Sequence, residues 1–126
     1  MRPSFLFVQA VCLTVPITAQ LDKWAKAAGL RYFGTAVDNP ALNNAAYMKI
    51  ARDTDEFGQI TPANGQKWDS TERSQGQFSY GSGDAIASIT KQTGQLLRCH
   101  TLVWYSQLPG WGVYEENLCG MNPLLI

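Results

Sequence analysis

Four residues of the chain carry side chains that together could bind a sugar: Asn64, Lys67, His100 and Trp104. The amide of Asn64 both donates and accepts hydrogen bonds, the ammonium of Lys67 donates three, and a neutral His100 does one of each. The hydroxyl groups of a pyranose require such a mixture. Trp104 adds a flat apolar surface on which the hydrocarbon-like face of a sugar ring can stack. Carbohydrate binding is therefore the chemistry that these residue types favour.

Each of these residues also has an ordinary structural explanation. A single lysine is usually solvated, a single histidine is often a hydrogen-bonded core residue, and Trp104 ends an apolar run. A Ser-His-Asp triad is compatible with the composition, but no motif supports one. The sequence contains no phosphate-binding loop, dinucleotide fingerprint, zinc-ligand spacing or nucleophile elbow. No cofactor and no metal are therefore expected.

The residues that could bind sugar follow predicted strands in a chain that alternates strands with helices. Strands are predicted over residues 31–37, 57–61 and 96–104, and helices over 21–28 and 42–51. A third helix is predicted to have Asp84 as its N-cap and to end at Gly94. Such alternation indicates a parallel sheet, whose carboxyl ends gather ligands. The pattern alone fits a doubly wound sheet or a (β/α)8 barrel, and it favours the former because a barrel needs ~250 residues.

The first 19 residues have the layout of a secretory signal peptide. Arg2 is followed by an apolar run from Phe5 to Val15, and Pro16 breaks this run before Ala19. The run is too short to span a bilayer as a stable helix. We therefore expect cleavage after Ala19 and a secreted, extracellular protein. A buried N-terminal helix is the alternative.

The charge balance excludes two classes of binding partner, and the cysteines predict how the thiols are placed. Lysine plus arginine and aspartate plus glutamate number ten each, so neither a nucleic acid nor a membrane surface is an expected partner. Cys99 lies in an apolar run and is predicted to be a buried free thiol, whereas the state of Cys119 is left open.

Trp68 is expected to belong to the core.

Several sequence blocks occur in a fixed order with helix-sized spacers between them. They are Tyr32-Phe-Gly-Thr-Ala, Thr54-Asp-Glu-Phe-Gly-Gln-Ile-Thr-Pro, Asn64 with Lys67-Trp-Asp, Ser74-Gln-Gly-Gln-Phe-Ser-Tyr, and Gln95-Leu-Leu-Arg-Cys-His-Thr-Leu-Val-Trp. This order resembles the N-terminal part of glycoside hydrolase family 10, whose members are mainly secreted endo-1,4-β-xylanases with a (β/α)8 fold. The resemblance implies an α/β fold, a partial TIM barrel over residues 20–112 with about the first three strands and their helices. Residues 113–126 are expected to form a tail outside the family.

The resemblance also implies roles for single residues. The four sugar-type residues introduced above match positions that bind the sugar beside the scissile bond, so xylan or a xylo-oligosaccharide is the implied ligand. Two positions depart from the family pattern. Ala63 stands where many members have Glu, and Tyr105 stands where the family has a His near the catalytic centre. A phenol does not take up a proton near neutral pH as imidazole does, so Tyr105 speaks against activity.

The catalytic pair of the family has no counterpart in this sequence. Retaining hydrolysis requires two carboxyl groups about 5–5.5 Å apart, which the family places after its fourth and seventh strands. Glu115 and Glu116 do not match, because the family acid/base follows an Asn whereas Glu116 precedes Asn117. We therefore expect a truncated endo-1,4-β-xylanase-like protein that is inactive alone and self-associates through open sheet edges. The alternatives are a secreted, non-catalytic xylan-binding protein and a pseudogene-like product.

Overall fold

The structure, a computed structural model, describes residues 19–113. The predicted signal peptide, apart from Ala19, and the predicted tail, apart from Val113, lie outside the described residues, as does Cys119. No helix within residues 19–113 is long and apolar enough to cross a membrane.

A three-stranded parallel sheet forms the centre of the described chain. Its strands are β1 (Gly34–Val37), β2 (Gln59–Pro62) and β3 (Leu96–Leu97), and β2 lies between the other two. The α-helices are α1 (Leu21–Ala27), α2 (Ala45–Ala51), α3 (Trp68–Thr71), α4 (Gly81–Thr93) and α5 (Gly110–Val113), and 3-10 helices cover Asn39–Asn43 and Tyr105–Gln107. The predicted alternation of strands and helices is confirmed. The predicted helix over residues 42–51 is a 3-10 helix followed by α2.

The hydrophobic core lies between one face of the sheet and helices α2 and α4. It consists of Val37, Met48, Ala51, Ile60, Ile86 and Ile89. Val37 and Ile60 come from the sheet, and the other four residues come from the two helices. Burial of each isoleucine contributes about 1.5–3 kcal/mol relative to exposure. This layer therefore holds both helices on the sheet.

On β1 and β2, the opposite face of the sheet carries small and polar side chains. The strand register pairs Gly34 with Gln59 and Ala36 with Thr61, and residues two apart in a strand share a face. Gln59 is buried and donates from Nε2 to Thr61 Oγ1 at 2.7 Å. A side chain at Gly34 would collide with the Gln59 amide. The glutamine therefore packs directly on the backbone of β1.

Helix α1 is attached to the turn before β2 by two buried carboxylates. Glu56 accepts hydrogen bonds from the backbone N–H groups of Gln20 at 2.9 Å and Leu21 at 3.5 Å, which satisfies donors at the start of the helix. Asp22 accepts from the backbone N–H of Phe33 at 2.7 Å and forms an ion pair with Lys26 at 2.5 Å. These contacts fix the helix against the segments that precede β1 and β2.

The surroundings of Asp22 lower the pKa of its carboxyl group. Burial is the largest single effect and raises this pKa, but the hydrogen bond and charge of Lys26 and the backbone N–H groups of Phe33 and Gly58 together outweigh it. Gly58 lies so close that a Cβ at this position would be 2.6 Å from Asp22 Cγ. The absence of a side chain at Gly58 therefore leaves the space that the carboxylate occupies.

Strand β3 is much shorter than the predicted strand over residues 96–104. Arg98 donates its backbone N–H to the Ile60 carbonyl at 3.0 Å, and the next bond of a parallel ladder would run from the N–H of Pro62 to the Arg98 carbonyl. Proline has no N–H, so pairing with β2 stops there. Residues 98–104 are irregular, and Leu102 is 87% exposed. The prediction of a long third strand was wrong because it followed apolar content alone.

Three expectations about single residues were also wrong. Cys99 is a free thiol but is exposed, because the segment that carries it leaves the sheet. Asp84 is not the N-cap of α4, since the helix begins before it and places it in the first turn. Trp68 is half-buried and packs edge-to-face on Trp111, with ring centroids 5.4 Å apart. The predicted helix end at Gly94 is confirmed, with a φ of 75° that favours glycine.

Candidate functional site

The carboxyl ends of β1 and β2 bring Asp38 and Asn64 together. Asp38 directly follows β1, and Asn64 lies just beyond β2. Asp38 Oδ2 accepts a hydrogen bond from Asn64 Nδ2 at 2.7 Å. Asp38 Oδ1 accepts from the backbone N–H of Asn39 at 3.0 Å and thereby caps the 3-10 helix. Both carboxylate oxygens therefore have a donor.

Lys67 lies at the centre of the site and is 7% exposed. Its Nζ donates to Asn64 Oδ1 at 2.8 Å and also to Gln107 Oε1. The same Nζ lies 4.5 Å from the centre of the Trp104 ring. The face of an indole attracts an ammonium group, by about 2 kcal/mol when both are desolvated. Lys67 thus connects the loop after β2 with the segment after β3.

The positive charge of Lys67 is balanced without a direct carboxylate partner. Within residues 19–113, Lys67 forms no salt bridge. The negative group in its hydrogen-bond network is Asp38, to which it is connected through the Asn64 amide. A buried charge is costly unless it is hydrogen-bonded. The chain of contacts from Asp38 through Asn64 to Lys67 therefore keeps an ammonium group inside the protein.

The hydrogen bonds made within the site leave mainly donors for a ligand. Among the described residues, Lys67 uses two of its three N–H groups and Asn64 uses one of its two. Gln107 directs its oxygen towards Lys67, which leaves its amide N–H groups for other partners. Trp104 is 37% exposed and offers apolar surface beside these donors. Within residues 19–113, no group of three or more His, Cys, Asp or Glu side chains is placed to hold a metal ion.

His100 lies apart from this cluster. It is exposed, and its backbone N–H donates to Gln66 Oε1 at 3.3 Å. It lines a cavity of about 630 Å³ together with Gln66, Thr71, Tyr80, Cys99, Thr101, Leu102 and Val103. The structure therefore brings together three of the four predicted sugar-binding residues and leaves His100 outside their contacts. The physical reason is the early end of β3. Residues 99–104 do not pair with β2, and the path of this segment brings Trp104 to Lys67 but leaves His100 exposed.

Two residues of the cluster are additions to the predicted set. Asp38 and Gln107 both follow predicted strands, which was the signal that could have selected them. Their contacts join residues 26 and 40 positions apart in the chain. No local pattern encodes such pairs, because each partner is chosen by the fold. The predicted sugar-binding role of Asn64, Lys67, His100 and Trp104 stays a prediction.

Comparison with known proteins decides the family. The sequence profile of Glycosyl hydrolase family 10 matches residues 20–122. This chain belongs to glycosyl hydrolase family 10. The matched range includes residues 113–122, which the sequence analysis assigned to a tail outside the family. The domain boundary at residue 112 stays a prediction.

Named relatives in family 10 are endo-xylanases. The chain is 51% identical over 112 residues to endo-1,4-beta-xylanase 1 of Humicola insolens, covering 88% of this chain and 26% of that protein. It is 57% identical over 93 residues to endo-1,4-beta-xylanase D of Talaromyces funiculosus, covering 74% of this chain and 23% of that protein. The chain therefore spans about a quarter of the length of these two relatives.

Solved family 10 structures share the fold of this chain. The endo-1,4-beta-xylanase XylE of Penicillium canescens gives a TM-score of 0.68 at 38% identity, covering 74% of this chain and 28% of that one. A family 10 xylanase from Bispora sp. MEY-1 with xylobiose gives a TM-score of 0.68 at 39% identity, covering 72% of this chain and 28% of that one. These structures are TIM barrels, so the three-stranded sheet corresponds to part of a (β/α)8 barrel, as the family resemblance implied. The doubly wound sheet favoured by the pattern alone was wrong.

Proposed function

We propose that this family 10 chain binds xylan or a xylo-oligosaccharide at the cluster of Asn64, Lys67 and Trp104. The observation that carries this proposal is the buried Lys67 ammonium, held between two amide oxygens and an indole ring. Its remaining N–H suits a sugar oxygen, and the adjacent ring suits the apolar face of the same sugar. The xylobiose in the related Bispora xylanase supports a xylose-based ligand. His100, on the same segment as Trp104, is proposed as a further contact.

The reaction that this site serves in a whole family 10 enzyme is the retaining hydrolysis of internal β-1,4-xylosidic bonds in xylan. Hydrolysis with retention of the anomeric configuration requires two carboxyl groups about 5–5.5 Å apart. Among the described residues, Asp38 is the carboxylate bonded into the cluster, and both of its oxygens accept hydrogen bonds. Glu115 and Glu116 lie outside the described residues. We propose that residues 1–126 hold the sugar without cleaving it.

Secretion is a further part of the proposal. The first 19 residues have the charged, apolar and small-residue regions of a signal peptide. The named relatives are fungal endo-xylanases, a class of enzyme that is typically secreted. Neither a metal ion nor a cofactor is part of the proposed function.

Non-catalytic xylan binding is the second candidate function. Hydrogen bonding and ring stacking hold a sugar without an acid/base group, and the cluster supplies both. This candidate predicts the same binding residues and, like the first, no cleavage by residues 1–126. It differs in that sugar binding is then the whole function of the protein and not one part of a hydrolase.

We expect the Lys67→Ala variant of the full chain to lose most of its affinity for xylan. Removing the ammonium takes away a donor to the ligand and leaves the Asn64 and Gln107 oxygens without this partner. Loss of such a charged hydrogen bond costs about 1.5–3 kcal/mol, which weakens the affinity at least about tenfold. Retardation of the chain on a gel containing soluble xylan measures this affinity. Lys91→Ala is the matched control, because Lys91 is an exposed lysine in the last turn of α4.

Two results would contradict this proposal. A wild-type chain that xylan does not retard, or a Lys67→Ala variant that behaves as Lys91→Ala does, contradicts the binding site. Release of xylose oligomers by the purified 126-residue chain, measured as reducing sugar, contradicts binding without cleavage.

A further inference from the structure

We propose that Asp38 is a positioning residue that fixes the orientation of the Asn64 amide and thereby the donors that the site offers to a ligand. This inference rests on the proposed sugar-binding function of the cluster. Asp38 itself is placed to act through Asn64 and needs no contact with the sugar.

The Asn64 amide lies between two groups of opposite hydrogen-bonding character. An ionised Asp38 carboxylate only accepts hydrogen bonds, and the Lys67 ammonium only donates them. The distances are 2.7 Å from Asn64 Nδ2 to Asp38 Oδ2 and 2.8 Å from Lys67 Nζ to Asn64 Oδ1. Only one of the two orientations of the amide satisfies both neighbours. The orientation is therefore imposed by charge and not by the shape of the amide.

The position of Asp38 is itself fixed by the loops around it. Its Oδ1 accepts the backbone N–H of Asn39 at 3.0 Å, and the Asn39 side chain donates to the Ser82 carbonyl at 2.8 Å. Gly65 lies against the Asn39 side chain, where a Cβ would be 2.6 Å from Asn39 Oδ1. The end of β1, the loop after β2 and the start of α4 thus meet around one carboxylate. The second carboxylate oxygen is left facing Asn64.

The Asp38→Asn variant keeps the shape of this contact and reverses its polarity. The new amide oxygen can still accept from Asn39, and the new NH2 group then faces Asn64. If the new oxygen stays on Asn39, Asn64 must either oppose this NH2 with its own or turn and present NH2 to the Lys67 ammonium. One hydrogen bond is lost in either case, and the donor for the ligand is misplaced in the second.

We expect the full-length Asp38→Asn chain to bind xylotriose about five- to a hundredfold more weakly than wild type in isothermal titration calorimetry, because the misplaced Asn64 donor leaves an acceptor of the bound sugar without its partner. Asp55→Asn is the matched control, because Asp55 is an exposed carboxylate in the turn before β2. It should bind within about twofold of wild type, as surface substitutions usually do.

A ligand-free measurement separates this inference from the proposed function. In NMR spectra of isotope-labelled chain, one N–H of the Asn64 side chain should exchange slowly with water in wild type and in Asp55→Asn. The same N–H should lose this protection in Asp38→Asn. A role of Asp38 in stability alone would lower the melting temperature without changing this signal in the folded state.

Equal affinities of Asp38→Asn and wild type would overturn the inference and leave the proposed function intact. If no chain binds xylotriose, the proposed function fails and the Asn64 signal decides the inference. Loss of protection in Asp38→Asn then supports the positioning role, and an unchanged signal overturns it.

Discussion

Asp22, Glu56 and Lys67 are charged side chains that are 1%, 6% and 7% exposed, respectively. Asp22 accepts hydrogen bonds from backbone N–H groups and forms an ion pair with Lys26, and Glu56 accepts from backbone N–H groups at the start of α1. Lys67 donates to two amide oxygens. Hydrogen bonds to charged groups are short and strong, and here they offset the cost of removing each charge from water. The hydrogen-bonding groups around each residue therefore decide whether its charge can be buried.

We expect Asp22→Asn to lower the free energy of unfolding by about 1–2 kcal/mol at neutral pH, since the amide loses the ion pair with Lys26, which is itself more than half exposed. The pKa of Asp22 is lowered from 3.8 in the folded chain. Its stabilisation is therefore present above this pH and is lost as the pH falls through the folded-state pKa. Urea denaturation at one protein concentration should show the difference from wild type shrinking in acid.

The exposed Asp84, changed to Asn, is the control for this pH series. A difference between Asp22→Asn and wild type that stays constant from neutral to acid pH would contradict the assignment of the lowered pKa.

At the scale of elements, Gln95 connects three segments of the fold. Its Nε2 donates to the Ala51 carbonyl at the end of α2 (2.9 Å) and to the Phe57 carbonyl before β2 (2.6 Å). Its Oε1 accepts from Thr93 Oγ1 at the end of α4 at 2.6 Å. Gln95 is 7% exposed, so these carbonyl groups have little access to water. One side chain therefore fixes two helix ends beside the start of β2.

We expect Gln95→Ala to lower the free energy of unfolding by about 3 kcal/mol, because two buried carbonyl groups lose their donor. Gln92→Ala is the matched control, since Gln92 is exposed on α4. Urea denaturation measures the effect, and amide hydrogen exchange should show faster opening around Ala51 and Phe57. Equal stabilities of the two variants would contradict the bridging role.

At the scale of the whole molecule, the described sheet has two outer strands with one neighbour each. Val37 turns its carbonyl towards Ala63, so the Ala36 carbonyl points away from β2. The Tyr47 hydroxyl donates to this carbonyl at 3.0 Å and covers part of the outer edge of β1. Unpaired edge groups favour pairing with another chain. The edge of β1 is therefore partly protected.

We expect the folded chain to self-associate in solution, as predicted from its open sheet edges. Size-exclusion chromatography and sedimentation should give a mass above 13.9 kDa that rises with protein concentration. Tyr47→Phe removes the hydroxyl that covers the Ala36 carbonyl and should increase association. A compact monomer with a sharp cooperative melt, or a Tyr47→Phe variant with unchanged association, would contradict this expectation.

The sequence by itself determined the order of the elements and the family. Helical and strand-like spacing of apolar residues predicted the alternation, and Gly94 marked the end of α4 where a positive φ is needed. The polar character of the residues at the predicted strand ends selected Asn64 and Lys67, because the carboxyl ends of parallel strands lie at the same end of the sheet. These features are local, so a single segment of sequence contains the information that specifies each one.

The tertiary structure decided which partners each residue meets. The length of β3 depends on Pro62 in the neighbouring strand, which offers no N–H to Arg98, and the exposure of Cys99 follows from that loss. Asp38 and Gln107 join the Lys67 cluster through contacts between distant parts of the chain. Periodicity states which face of an element is apolar. It does not state which donor or acceptor the fold will place opposite a given atom, because that depends on a neighbour brought close only by folding.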